Sequence, residues 1–187
     1  MTTFWIATLA LVSMSLAIAQ DVPPPPPMRG EAASLKDTMR FLQDKLPGKV
    51  NYMMYRHDNI TGADVRAKFT FEVWNVSADA DQCGIDDHWR ITLNEKIKPD
   101  EDALVNLKQV REVVVISLDQ ADQQAAAKNG HPEWSFKIDP PIFSVRAKRD
   151  GGQSAFDFYD ETLANRVATA LRHAVDLCGG GGNQEPF

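Results

Sequence analysis

The densest group of metal-ligating and acid–base side chains in the sequence lies between Asp79 and His88. Asp79, Asp81 and Gly84 occupy the first, third and sixth positions of a calcium-loop spacing. The match fails at Arg90, which stands where a bidentate carboxylate is required. A solvated acidic hairpin loop is therefore the favoured interpretation. The weaker alternative is a divalent-metal site formed by Asp79, Asp81, Asp86, Asp87 and His88.

Motifs that define a reaction are missing elsewhere in the sequence. There is no G-x-S-x-G elbow, H-E-x-x-H pair, phosphate-binding glycine loop or S-x-x-K element. The four histidines have no zinc-ligand spacing. We therefore expect no catalytic residues and no cofactor, and we favour a non-enzymatic binding or interaction module. The alternative is a small metal-assisted hydrolase that uses residues 79–88.

The overall charge argues against one large class of partner. The chain has 26 acidic and 20 basic residues, which gives a formal net charge of −6. Binding to nucleic acid depends on neutralising phosphates with lysine and arginine. The expected partner is consequently an unknown protein, peptide or small apolar ligand, and not a nucleic acid.

The two cysteines of the sequence, Cys83 and Cys178, predict one disulfide bond. An even number of cysteines in an exported domain of this size is typical of a bridged framework. Such a bond would fasten the end of the last predicted helix to the acidic loop. The alternative is two separate buried thiols.

The first 20 residues have the features of a secretory signal peptide. Phe4 to Val12 is largely apolar, and the stretch closes on Ala17-Ile18-Ala19, a small-residue cleavage pattern. The apolar run is shorter than the ~20 residues that cross a bilayer. We expect cleavage near Ala19 and a secreted or periplasmic protein that is not embedded in the membrane.

The composition divides the chain into four parts. Residues 1–19 are the signal peptide, and residues 20–33, with five consecutive prolines, form a proline-rich linker. A single α+β domain is expected over residues 34–178. Residues 179–187 begin with four glycines and are expected to be a disordered tail.

Periodicity within the domain predicts a helix at each end and strands between them. Ser34 and Asp37 have the spacing of a capped helix start, and Asp160 is placed to cap a long final helix that stops at Gly179. Residues 96–108 are expected to form a loop. Strands are predicted at residues 49–55, 65–73, 88–93, 110–118, 133–138, 142–148 and 153–158. The expected interior consists of Phe69, Phe71, Trp89, Trp134 and Phe136 with Leu163, Val167 and Leu171 of the final helix.

Seven strands followed by one amphipathic helix resemble the pleckstrin-homology-like superfold. The resemblance covers roughly residues 49–178 and is densest in SFKIDPPIFSVRAKRDGGQSAFDFYDETLANRVATALRHAVDLCGG. It implies an antiparallel seven-stranded barrel or sandwich capped by the C-terminal helix, here with an additional N-terminal helix. The phosphoinositide-binding version needs basic residues in the loop of the first strand pair. That loop reads HDNITGAD over residues 57–64 and lacks the basic cluster, so we expect no phosphoinositide ligand.

Overall fold

The computed structural model describes residues 33–181, in which three α-helices and nine β-strands form an α+β arrangement. The predicted signal peptide, nearly all of the predicted linker and residues 182–187 lie outside the described residues. None of the helices in the described part is long and apolar enough to cross a membrane. The helices are α1 (Leu35–Lys45), α2 (Leu118–Lys128) and α3 (Glu161–Leu177). The strands are β1 (Gly48–Asp58), β2 (Asp64–Asp79), β3 (Gly84–Leu93), β4 (Lys96–Ile97), β5 (Glu101–Asn106), β6 (Val110–Ser117), β7 (Trp134–Asp139), β8 (Phe143–Arg149) and β9 (Gly152–Phe158).

The strands pair into two antiparallel sheets. In the larger sheet the order is β4-β3-β2-β1-β7, and β5 pairs with the other end of β3. In the smaller sheet the order is β6-β8-β9. The α+β class and the C-terminal helix are thus as expected. The described strands form two open sheets, however, and not a closed seven-stranded barrel.

Helix α3 lies over one face of the smaller sheet and also contacts α1. Its sequence is apolar on one side only, as expected of a helix that buries a stripe against a sheet. Asp160 caps its first turn by accepting from the amide of Leu163 at 2.8 Å, as the sequence predicted. The main core joins this stripe to α1 and both sheets. Its fully buried side chains include Leu42, Ile85, Val105, Leu107, Val145, Phe156, Val167 and Leu171.

The helix ends in a turn that packs against the start of β6. Gly179 has a φ of +73°, a left-handed conformation that glycine adopts without steric cost. A side chain at Gly180 would collide with the carbonyl group of Leu107. The amide of Gly181 then donates to the carbonyl oxygen of Val110 at 2.8 Å. The first residues of the predicted tail are therefore hydrogen-bonded to the domain.

Two segments between the predicted elements have regular structure. Residues 96–108 were expected to be a loop but contain β4, β5 and one 3-10 turn. Strand β5 was missed because it lies at a sheet edge, where only Val105 is fully buried and Leu104 is 55% exposed. The polar segment that forms α2 was assigned to no element, since its apolar side chains are mostly alanines.

The predicted interior is correct at one end of the larger sheet and wrong at the other. Val167 and Leu171 are fully buried, while Phe71, Trp89 and Leu163 pack against the main core. Phe69, Trp134 and Phe136 lie on the same sheet face but are only half-buried, and they join neither buried cluster. The alternation predicted the correct face of each strand. It did not predict which part of that face the smaller sheet and the helices bury.

The predicted disulfide bond is present between Cys83 and Cys178. The S–S distance is 2.10 Å and the two Cα atoms are 5.8 Å apart. Cys83 lies in the turn between β2 and β3, and its carbonyl oxygen also accepts from the amide of Leu107 at 2.9 Å. The bond therefore links the C-terminal end of α3 to the hairpin formed by β2 and β3 in the larger sheet.

We predict that Leu171→Ala lowers the free energy of unfolding by about 2 to 5 kcal/mol, because the truncation leaves a cavity in the main core. Leu177→Ala is the matched control on the same helix, since Leu177 is 50% exposed. Urea unfolding followed by circular dichroism gives both values. Equal effects of the two substitutions would contradict the assigned core.

We predict that Cys83→Ser combined with Cys178→Ser lowers the free energy of unfolding by about 4 to 5 kcal/mol, because the bond closes a sequence separation of 95 residues. Amide hydrogen exchange should accelerate first near the end of α3. Thiol labelling of the unreduced, denatured chain provides the independent check. Two reactive thiols per chain would contradict the bond.

Candidate binding site

The residues predicted as a weak metal site do not converge. Asp79 is the last residue of β2, and its Oδ1 accepts from the amides of Asp81 and Gln82 at 2.8 and 3.0 Å. Asp86 and Asp87 belong to β3, where successive side chains point to opposite faces. The expected solvated loop 79–88 is thus mostly strand, with a turn at residues 80–83. In the described part of the chain, no three His, Cys, Asp or Glu side chains are grouped so that they could hold one metal ion.

His88 lies on the outer face of the larger sheet. Its Nδ1 is 2.5 Å from a carboxylate oxygen of Asp102, and its ring stacks on Trp74. Arg90, also on this face, lies over the Trp74 ring and makes a two-point hydrogen bond to Asp100. These cross-strand pairs account for the polar side chains of that face as sheet-stabilising contacts.

Asp87 points into the domain and is only 4% exposed. Its Oδ1 is buried and has no hydrogen-bond partner within residues 33–181. Burial raises the pKa of this carboxyl to about 6, although the nearby His88 and Arg149 oppose the shift. An isolated buried carboxylate of this kind costs stability when it ionises.

Several further polar side chains come together where α2 meets the two sheets. Helix α2 contacts β7 of the larger sheet and β6 of the smaller one. Its apolar residues Leu118 and Ala121 form a second buried cluster with Val50, Ile138 and Ile142. Ile116 of β6 packs against this cluster, so α2 lies beside the outer face of the smaller sheet at β6. The polar cluster beside it consists of Tyr52, Asp122, Ser144, Arg146 and Asp157.

The backbone register explains how the members of the polar cluster on the smaller sheet meet. Ser144 of β8 stands directly opposite Asp157 of β9, so the two side chains share one face. Arg146 lies two residues further along β8 on the same face. The alternating residues Val145 and Phe156 point the other way, into the main core.

The polar groups of this cluster are only partly satisfied. Ser144 is fully buried opposite Asp157, and the hydroxyl and carboxylate of this pair have each other as nearest polar partner. The Nε of Arg146 is buried without a partner in the described chain. Buried polar atoms are nearly always hydrogen-bonded, so an Arg146 Nε without a partner in the described chain is unusual.

In this cluster the carboxyl groups of Asp122 and Asp157 both have a shifted pKa, and both lie near the guanidinium of Arg146. Burial raises the pKa of Asp157, and the adjacent Ser144 and Arg146 oppose that rise. Burial also raises the pKa of Asp122 to about 6, with a further contribution from Asp157 and an opposing one from Arg146. The pKa of Tyr52 is raised by burial and by both carboxylates, so its hydroxyl stays protonated. Perturbed groups that cluster in this way are typical of functional sites.

A groove opens onto this cluster between α2 and the smaller sheet. Its volume is about 440 Å³, within the usual range for small-molecule sites. We call it the α2 groove. Its polar lining consists of Gln124 and Lys128 from α2, Arg146, Lys148 and Arg149 from β8, and Gln153 from β9.

Sequence reasoning did not identify any member of the polar cluster. The alternation of Ser144 and Arg146 with apolar neighbours indicates a wet strand face, and that signal was present. It could not reveal a site, because the residues that cover this face come from α2, which was not predicted. Asp157, between Phe156 and Phe158, likewise indicates a polar strand face and does not show whether that face is solvated or forms a site.

Comparison of the chain with protein-family models, with curated proteins and with solved structures gave no match. The geometry of the described residues is therefore the basis for the function proposed below.

We predict that the free energy of unfolding falls as the pH rises from about 4 to 6, and that Asp87→Asn makes this fall shallower. The pKa of Asp87 is raised in the folded state, so its contribution is fully present below the unfolded pKa and is lost as the pH passes through about 6. At pH 7 the substitution should stabilise the protein by roughly 2 kcal/mol.

Urea unfolding between about pH 4 and 7 measures this effect. The control is Asp86→Asn, because Asp86 is exposed and its side chain points to the opposite face of β3. An unchanged pH dependence in Asp87→Asn would contradict the prediction.

Proposed function

We propose that this protein is an exported, non-enzymatic binding module that holds a small ligand in the α2 groove. The observation that carries the proposal is Arg146, which lines the groove with a buried Nε that lacks a partner within the described residues. Because this Nε is itself out of contact with solvent, a ligand in the groove would meet the guanidinium of Arg146 at its other nitrogens. The polar lining favours a ligand with polar groups over the wholly apolar one considered from the sequence.

The disulfide bond and the N-terminal sequence support the exported location. A bond between Cys83 and Cys178 persists in oxidising compartments and is rare in the cytosol. The apolar stretch that closes on Ala17-Ile18-Ala19 fits the same location. We therefore propose that the mature chain begins near Gln20 and acts outside the cytoplasm.

We also propose that the fold is a variant of the pleckstrin-homology-like superfold. Strands β1, β2, β3 and β5 form four neighbours of one sheet, β6, β8 and β9 form the second sheet, and α3 follows. That succession supports the resemblance. Under this reading β5 takes the place of β7 among the seven strands, and α2 with β7 is an insertion.

The acidic segment 79–88 gives less support to the alternative of a metal-assisted hydrolase. Its side chains diverge onto a turn, an outer sheet face and the domain interior. The polar cluster includes a serine and two carboxylates, but it has no histidine or cysteine beside them.

Binding in the α2 groove can be tested by NMR with the full ¹⁵N-labelled chain and a mixed set of cationic, neutral and anionic fragments. We expect saturable shift changes at Gln124, Lys128 and Gln153. Ala125→Trp should abolish them, because Ala125 lines the groove and an indole there would fill it.

The matched control is Ala127→Trp, since Ala127 is exposed on the same helix and is not part of the groove lining. Shift changes that persist in Ala125→Trp, or a fragment set that produces none at the groove, would refute the proposed function.

A further inference from the structure

The charge of the α2 groove is opposite to that of the protein. The chain has a formal net charge of −6, yet four basic side chains line this groove and no acidic residue of the described chain does so. Clefts lined by one sign of charge concentrate ligands of the opposite sign. The four residues are Lys128, Arg146, Lys148 and Arg149.

Two of these four cations are already engaged. The Nζ of Lys148 is 2.9 Å from a carboxylate oxygen of Glu112, and Arg149 donates from Nη1 to the carbonyl oxygen of Leu104 at 2.8 Å. Lys128 and Arg146 make no ion pair within residues 33–181. A ligand can therefore bind either side chain without breaking an ion pair, although Arg146 also faces Asp122 and Asp157 at longer range.

Resting on the proposed function, we propose that the α2 groove binds a small organic anion through its carboxylate or phosphate group, held by Arg146 and Lys128, and that Asp122 takes up a proton from solvent when the anion binds. The planar guanidinium suits both head groups, because each presents oxygens that accept parallel hydrogen bonds. Gln124 and Gln153 provide amide groups for the rest of the ligand. The groove volume of about 440 Å³ restricts the ligand to a small molecule.

Asp122 follows the groove-lining Ala121 on α2 and precedes the groove-lining Ala125 by three residues, the spacing of neighbours on a helix surface. Proton uptake follows from the charges that face it. Arg146 of β8 favours its ionised form, whereas Asp157 of β9 and Asp119 of its own helix oppose it. The protonated hydroxyl of Tyr52 on β1 carries no charge. An anion at Arg146 would neutralise the one favourable neighbour and add another negative charge. The pKa of Asp122, already about 6 in the free protein, would rise further.

The sign of the pH dependence is fixed by linkage. A protein that gains a proton on binding binds more tightly at lower pH. Affinity should therefore fall by about tenfold between pH 5.5 and pH 7.5.

Benzoate and dimethyl phosphate are suitable probes, because the charge of each is constant over this pH range and they separate the carboxylate from the phosphate source. Benzamide is the neutral match for benzoate. Calorimetry on the full chain at constant ionic strength gives the affinity, and buffers of different ionisation enthalpy give the protons taken up. We expect saturable binding of at least one anion at pH 5.5 and no comparable binding of benzamide.

Three substitutions test the roles of the named residues. Arg146→Gln should abolish anion binding, and Lys128→Gln should weaken it. Because Lys128 is exposed, Lys128→Gln should fold normally, so the anion site can still be tested if Arg146→Gln is destabilised. Asp122→Asn should bind at pH 7.5 about as tightly as the unaltered chain does at pH 5.5. The control is Arg40→Gln, an exposed arginine on α1, which should leave binding unchanged.

Several results would overturn the inference: no saturable anion binding at pH 5.5, anion binding that survives both Arg146→Gln and Lys128→Gln, or an unchanged pH dependence in Asp122→Asn. If benzamide binds in the groove as tightly as benzoate, the anion inference fails while the proposed function stands. If no fragment of any charge binds there, both fail.

Discussion

The burial of one face of α3 is the interaction on which the arrangement of the other elements depends. Val167 and Leu171 are fully buried, and the helix contacts α1 and all three strands of the smaller sheet. Burying large apolar side chains of this kind provides about 1.5 to 3 kcal/mol each. The disulfide bond from Cys178 to Cys83 extends the same constraint to the hairpin of the larger sheet.

The polar cluster is the region where the structure departs from the pattern of a well-satisfied core. Ser144, Arg146 and Asp157 lie together there, and the buried Nε of Arg146 has no hydrogen-bond partner in the described chain, which costs about 1 to 3 kcal/mol. Domains are stable by only about 5 to 15 kcal/mol, so this cost is substantial. Of the three residues, Arg146 is the one that lines the α2 groove, and for this reason the proposed function is placed there.

The sequence predicted the elements that repeat a clear pattern. Helices α1 and α3, strand β2 and the bond between the two cysteines were all foreseen, because caps, periodicity and cysteine count are local signals. Strand β5 and helix α2 were missed, since an edge strand and an alanine-rich helix bury few large side chains.

The candidate site was not foreseen for a related reason. Asp122 is far in sequence from Ser144 and Asp157, and only the packing of α2 onto the smaller sheet unites them. The acidic cluster at residues 79–88 had the stronger sequence signal, yet strand alternation separates Asp86 from Asp87. Residues that are close in sequence form one site only when the backbone directs their side chains to the same face.

The segment that builds half of the groove begins and ends at one point of the scaffold. Ser117, before α2, pairs directly with Phe143, after β7, and the amide of Leu118 donates to the carbonyl oxygen of Ile142 at 2.9 Å. The 25 residues between them, 118–142, therefore form a segment that leaves the β6–β8 strand pair and returns to it at the same place. Within this segment β7 pairs with β1 of the larger sheet, and Leu118, Ala121, Ile138 and Ile142 belong to the second buried cluster. The groove-lining residues Gln124, Ala125 and Lys128 lie outside that cluster, so under the proposed function they are the positions of α2 at which ligand selectivity could change while the buried residues stay the same.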